Sequence, residues 1–210
     1  MPSLKPKNKN NMNSTYRSIH TLSHTLWEEN PDLRRRIDLQ LRYTNQEFGG
    51  EREVIDCRGV APVVGPNGLD RDFKRLLLGQ APVDPRARRI LGPALQSLDQ
   101  LGFVASCENG LVRNDALRLI GQPDAVGVMT GNIDAIVELK VVERFRETAR
   151  AVDAAQLLFY ALCRYPVSEV IKGNIGMIVV YVVDSWAADT RLEMILNPAP
   201  LVPLVTELAA

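Results

Sequence analysis

One run of ten residues, Ile133 to Val142, constrains this chain more than any other. Strand side chains alternate between the two faces of a sheet, so Glu138 and Lys140 point one way. Val137, Leu139 and Val141 point the other way, into apolar packing. A charged pair on an otherwise apolar central strand is costly to bury without compensation. Upstream stands Gly121-Gln122-Pro123-Asp124, and a hairpin joining the two segments can bring Asp124 beside Glu138. A divalent cation held between the two carboxylates would offset the cost of burying them.

The flanking pattern is that of a mixed α/β protein. Residues 14 to 48 look helical, broken at Asn30-Pro31 and ended by Gly49-Gly50. Residues 51 to 84 are mixed, with strand-like Glu53–Cys57 and Val60–Val64, a Gly65-Pro66-Asn67-Gly68 turn and a short helix over Leu69–Leu78. Asp84-Pro85 opens a helix reaching about Leu101, with Ile90, Leu91, Ala94, Leu95 and Leu98 at helical spacing. Phe103–Cys107 reads as a strand, followed by a turn at Glu108-Asn109-Gly110. Leu117–Val128 reads as a second strand, bent near Gly121 and Pro123. Met129–Asn132 makes a hairpin turn into the third strand, Ile133–Val142. Glu143–Tyr165 reads as a long helix ended by Pro166. Ile175–Val183 and Arg191–Leu196 complete the strands. The order of helix, three strands, helix and two strands predicts a short mixed sheet flanked by helices. The expected organisation is a disordered tail over 1–13, a mostly helical extension over 14–84 and an α/β core over 85–210.

Bulk properties bound the function. The chain has 210 residues, 46% of them apolar, enough for a real core. No apolar run approaches the roughly 18 residues of a membrane-spanning helix. The Lys- and Asn-rich start lacks the apolar stretch of a secretory signal. A soluble, cytoplasmic protein with no membrane partner is the expectation. Cys57, Cys107 and Cys163 are scattered and odd in number, which argues against a disulfide framework, a zinc site or an iron–sulfur cluster. No GxxxxGK[ST] run is present, so no nucleotide cofactor is expected. The net charge is zero but uneven: 18 Lys/Arg face 14 Asp/Glu up to Arg118, and 7 face 11 beyond it. Arg34, Arg35 and Arg36, with Arg86, Arg88 and Arg89, are clusters that could meet a phosphate backbone.

An E-x-K triplet alone is common, and Pro-Asp alone is a turn signal. Their order on adjacent expected strands is more specific. Mg²⁺ or Mn²⁺ suits such a centre, because a hard cation takes carboxylate and water oxygens and keeps room for substrate phosphate. Lys140 could orient or deprotonate a water, or stabilise developing negative charge. The Leu139 backbone carbonyl could complete the metal shell. On the following helix Gln156 and Tyr160 lie four residues apart, on one face.

Together Gly121-x-x-Asp124, Glu138-x-Lys140 and Gln156-x-x-x-Tyr160 resemble the successive motifs of the PD-(D/E)XK nuclease superfamily. Gln-x-x-x-Tyr resembles its RecB-like exonuclease branch. The resemblance spans about Pro85 to Leu196. It implies a restriction-endonuclease-like core, with Asp124 and Glu138 as metal ligands and Lys140 as the catalytic lysine. It implies that Gln156 and Tyr160 position the DNA strand and the active-site groups. Members of the branch often carry a further His or Glu ligand on the helix before the first core strand. Here that helix offers only Gln96 and Asp99, and His20, His24, Glu47 and Glu51 are the alternatives. The resemblance implies a metal-dependent deoxyribonuclease acting on single strands or duplex ends, an exonuclease of recombination, repair, phage replication or defence. A homo-oligomer or a recombination or repair protein would be its partner. The rival readings are an endonuclease effector or toxin, a catalytically inactive DNA-binding assembly module, and an RNA-cleaving enzyme.

Overall fold

The computed structural model describes residues 16–47, 66–106, 110–142, 151–183 and 190–209. The expected tail over 1–13 and the strands over Glu53–Cys57 and Val60–Val64 lie outside the described residues. In chain order the elements are β1 (Arg17–Ser18), α1 (Ile19–Glu28), α2 (Pro31–Glu47), α3 (Pro66–Leu77), α4 (Ala87–Gln100), β2 (Val104–Ala105), β3 (Val112–Asn114) and β4 (Leu119–Gly121). There follow β5 (Ala125–Met129), β6 (Ile133–Val142), α5 (Ala151–Arg164), α6 (Val167–Ile171), β7 (Gly176–Val183), β8 (Thr190–Met194) and α7 (Val202–Ala209).

The main sheet has the order β2-β5-β6-β7-β8. β6 pairs antiparallel with β5 and parallel with β7, opposite Glu138 to Val179 and Lys140 to Tyr181. All eight residues of β7 are buried, as suits a strand covered on both faces. One face of the sheet carries Ile136, Met177, Val179 and Tyr181 against α5 and the helices around it. The other carries Ala135, Val137, Leu139, Ile178, Val180 and Val182 against α3 and α4. The alternation expected of Ile133–Val142 therefore holds, and it sends Glu138 and Lys140 toward α5. The result is a mixed α/β fold with a short sheet flanked by helices.

The segment 19–41 shares the α5-side core: Ile19, Leu22, Leu33, Ile37 and Leu41 are buried in it. α5 itself is buried over Ala151–Leu162, which is why its sequence is apolar nearly all round.

Several expectations are corrected. Arg17–Ser18, within the stretch expected to be helical, pairs parallel with β4. The single bent strand over Leu117–Val128 is two strands in different sheets. β4 joins β1 and β3 in a small three-stranded sheet, and β5 belongs to the main one. Pro123, which has no backbone N–H to donate to a ladder, separates them. β3 was not expected, and β2 is shorter than Phe103–Cys107. The turn expected at 65–68 is in part helix: Pro66, Asn67 and Gly68 form the first turn of α3, where a proline costs no hydrogen bond. α6 and α7 add two short helices near the C-terminus.

Candidate active site

Five buried polar or charged residues stand among the described ones, and two of them, Glu138 and Gln156, meet at one point. Glu138 is 5% exposed and Gln156 3%. Lys140 Nζ donates to Glu138 Oε1 at 2.9 Å and to Gln156 Oε1 at 2.9 Å. Gln156 Nε2 donates to Glu138 Oε1 at 2.7 Å and to the Tyr160 hydroxyl at 2.9 Å. Gln156 thus satisfies a cation with one end and a carboxylate with the other, as a neutral amide can. The spacing of Gln156 and Tyr160 puts both on the face of α5 turned to β6.

Asp124 enters from the loop between β4 and β5. The Leu139 N–H donates to Asp124 Oδ2 at 2.9 Å, and the Asp124 N–H reaches Glu138 Oε2 at 3.4 Å. Each carboxylate is therefore held by one oxygen. The other is only loosely engaged: Glu138 Oε2 by that long contact, Asp124 Oδ1 by Lys74 Nζ at 3.8 Å.

Gly121 explains why the loop can come so close. A Cβ there would lie 2.8 Å from Tyr160 Cε1 and 3.0 Å from Ile19 Cβ. β4 is wedged between α1 and α5 at this residue, and only glycine leaves Tyr160 its place.

A cleft of about 260 Å³ opens over these groups, lined by Asp124, Glu138, Leu139, Lys140, Gln156 and Tyr160, and also by Gly121, Gln122, Ser18, His20 and Asp70. Every core site residue expected from the sequence lines it. The six arginines do not line it. Arg36 pairs with Glu207 and Arg86 with Asp84. Of the alternatives for an upstream ligand, His20 lines the cleft and Gln96 and Asp99 do not. The side chains of His24 and Glu47, and all of Glu51, fall outside the described residues.

Asp70 and Lys74 were missed. They sit one turn apart on α3, whose Leu69 and Phe73 are fully buried in the α4-side core. The Leu69/Phe73 spacing leaves Asp70 and Lys74 together on an adjoining side, a pattern that an ordinary solvated helix face shows equally. A second buried carboxylate, Asp72, fixes this helix to the following loop, accepting from the Val83 N–H at 2.7 Å and the Asp84 N–H at 2.8 Å.

The electrostatics follow from the crowding of carboxylates. Burial pushes the Glu138 carboxyl up to about 7, with Lys140 pulling it down and Asp124 pushing it further up. Burial also raises Asp124, against the Leu139 N–H, Lys74 and Lys140. Burial and then the charge of Asp124 raise Asp70 to about 6. Burial raises the Tyr160 hydroxyl, so it stays protonated. The site thus carries more negative charge than its two lysines comfortably neutralise. Among the described residues, no three His, Cys, Asp or Glu side chains are already gathered closely enough to hold a metal ion. Lys140 and Lys74 stand against the carboxylates instead.

No protein-family model matches the chain, and no curated protein matches it either. Among solved structures it is similar to an alkaline exonuclease from Laribacter hongkongensis, with 12% identity and a TM-score of 0.40, over 71% of this chain and 78% of that one. It is also similar to the protein SSO0001, with 18% identity and a TM-score of 0.35, over 84% of this chain and 82% of that one. Both likenesses are distant, and the chemistry of the cleft has to be read from its own atoms. Among the described residues no helix is long and apolar enough to cross a membrane.

Proposed function

We propose that the chain is a metal-dependent nuclease of the PD-(D/E)XK type, of the RecB-like branch, hydrolysing phosphodiester bonds in DNA. The observation that carries this reading is the buried Asp124–Glu138–Lys140–Gln156 network on β6, the β5 entry and α5. Its donor set fits a hard divalent cation. Two carboxylates raised by burial each keep one oxygen loosely engaged, and all the offered atoms are oxygens. Asp124 and Glu138 would hold Mg²⁺ or Mn²⁺ with the Leu139 carbonyl, and Asp70 or His20, which line the same cleft, would complete the set. When bound, such an ion polarises the phosphate and makes a bound water more acidic.

The chain's own groups supply the rest. Lys140, fixed by Glu138 and Gln156, presents a cation beside the point of attack, where it orients the water and stabilises charge on the phosphorane-like transition state. Water adds to phosphorus, the bond to one sugar oxygen breaks, and that oxygen leaves with a proton. Gln156 and Tyr160 keep Lys140 and Glu138 in register. The exonuclease reading comes first, because the resemblance is to an exonuclease branch.

The test is degradation of linear and covalently closed circular DNA with Mg²⁺, Mn²⁺ or EDTA, by wild type and Lys140→Ala. Metal-dependent loss of linear DNA alone, abolished by Lys140→Ala, is the expected result. Cutting of the circle as well means an endonuclease. Failure on DNA with cleavage of RNA means a ribonuclease on the same centre. A second reading, a binding module without activity, is favoured by the lack of a gathered trio of ligands among the described residues. It requires that Mn²⁺ bind no better to wild type than to Asp124→Ala by calorimetry.

A further inference from the structure

A second cavity, of about 160 Å³, adjoins the cleft at Asp124. Gln122 and Asp124 line both, so the two spaces share a wall. Its own walls are mainly apolar: Leu77 and Leu78 at the end of α3, Ala105 of β2, and Pro123, Ala125 and Val126 around the start of β5. Ser106 and Gln122 add hydrogen-bonding groups, and Lys74 stands at the boundary, its Nζ 3.8 Å from Asp124 Oδ1. Leu78 is 38% exposed beside it.

We propose that this cavity is a nucleoside subsite, receiving one base of the substrate strand next to the scissile phosphate, with Lys74 neutralising the adjoining phosphate. The proposal rests on the nuclease reading and deepens it. The match is chemical. A base is flat, with apolar faces and a hydrogen-bonding edge, and it is tied to an anion. The cavity offers apolar walls, two polar side chains and one lysine at its rim. Its continuity with the cleft through Gln122 and Asp124 places it next to the reacting groups. At 3.8 Å the pairing of Lys74 with Asp124 is loose, and the Lys74 Nζ can turn to a phosphate at the rim of the cavity. An enclosed base must leave its stack and its pair, which costs least in single strands and at frayed ends. The cavity thus makes single-stranded or fraying ends the preferred substrate.

The experiment uses the full chain without divalent metal. Binding of a deoxynucleoside 5′-monophosphate, the matching nucleoside and inorganic phosphate is measured by calorimetry for wild type, Leu77→Trp, Leu78→Trp and Lys74→Gln. The monophosphate should bind more tightly than phosphate alone. Either tryptophan, by filling the cavity, should weaken the monophosphate roughly tenfold or more, and Lys74→Gln should weaken the monophosphate but not the nucleoside. Leu78→Trp keeps the test valid if Leu77→Trp fails to fold, because Leu78 is partly in solvent. Equal binding of monophosphate and phosphate, unchanged by Leu78→Trp, overturns the proposal. A cleavage arm separates it from the reading beneath it, using oligonucleotides with one abasic position moved stepwise from the end. A rate drop at one position in wild type, lost in Leu78→Trp, is expected. Normal cleavage with no such position sinks the subsite and leaves the nuclease standing. Absence of any cleavage sinks the nuclease reading, and the calorimetry then decides the cavity alone.

Discussion

Glu138→Gln should make the metal-free protein more stable while removing its activity. The carboxyl is 5% exposed and is raised from its ordinary 4.5 to about 7, chiefly by burial. A raised carboxyl binds its proton more tightly folded than unfolded. Its penalty is therefore absent below about 4.5 and complete above about 7. With each pKa unit near 1.4 kcal/mol, the ionised side chain costs the fold about 3 kcal/mol at pH 8. Glutamine is neutral and keeps the oxygen that accepts from Lys140 and Gln156. It should recover roughly 1–3 kcal/mol, or about 2–10 °C in melting temperature for a chain of this size. The assay is thermal unfolding in EDTA at pH 5.5 and 8, then with Mg²⁺ or Mn²⁺. Wild type should lose stability between pH 5.5 and 8 and regain it with metal. The variant should be flatter with pH and insensitive to metal. Asp124 and Asp70 shift in the same direction, so the difference between wild type and variant isolates Glu138. A variant that melts below wild type at pH 8 without metal would refute the reasoning, since Glu138 would then be stabilising as an anion.

Asp70→Asn should weaken Mn²⁺ binding severalfold and slightly stabilise the metal-free protein above pH 7, because its carboxyl is also raised, to about 6; unchanged calorimetric affinity would remove Asp70 from the ligand set. Gly121→Ala should cost about 1–3 kcal/mol by overpacking and depress cleavage through displaced Tyr160, whose ring would lie 2.8 Å from the new methyl; wild-type melting and rate would show that β4 and α5 are looser than described. Neutralising Arg34, Arg35 and Arg36, or Arg86, Arg88 and Arg89, should weaken DNA binding at low salt without altering sequence preference and should lower the salt slope; binding as tight as wild type would exclude them as phosphate contacts.

The parts of this fold that could be read in the sequence are those where period and burial act within one element. β6 alternates cleanly, so the face of Glu138 and Lys140 followed from Val137, Leu139 and Val141 alone. Gln156 and Tyr160 share a face because four residues make about one helical turn. The small sheet was hidden for the opposite reason: β1, β3 and β4 are two or three residues long, too short for any period to show. Asp70 and Lys74 were hidden for a third reason. A carboxylate and a lysine one turn apart on a helix ordinarily mark its solvated side, and nothing local separates that case from a wall of a cleft. What separates them is the neighbour. Leu69 and Phe73 claim the face toward α4, and α3 lies against β6, so the adjoining side of α3 looks across at Asp124. The strands announce two carboxylates and a lysine, and the third carboxylate and second lysine come from packing. On the proposed reading, the upstream ligand sought on α4 would come instead from Asp70 on the helix before it. If Asp70→Asn and Lys74→Gln alter metal and phosphate binding separately, a helix outside the three motifs completes the site.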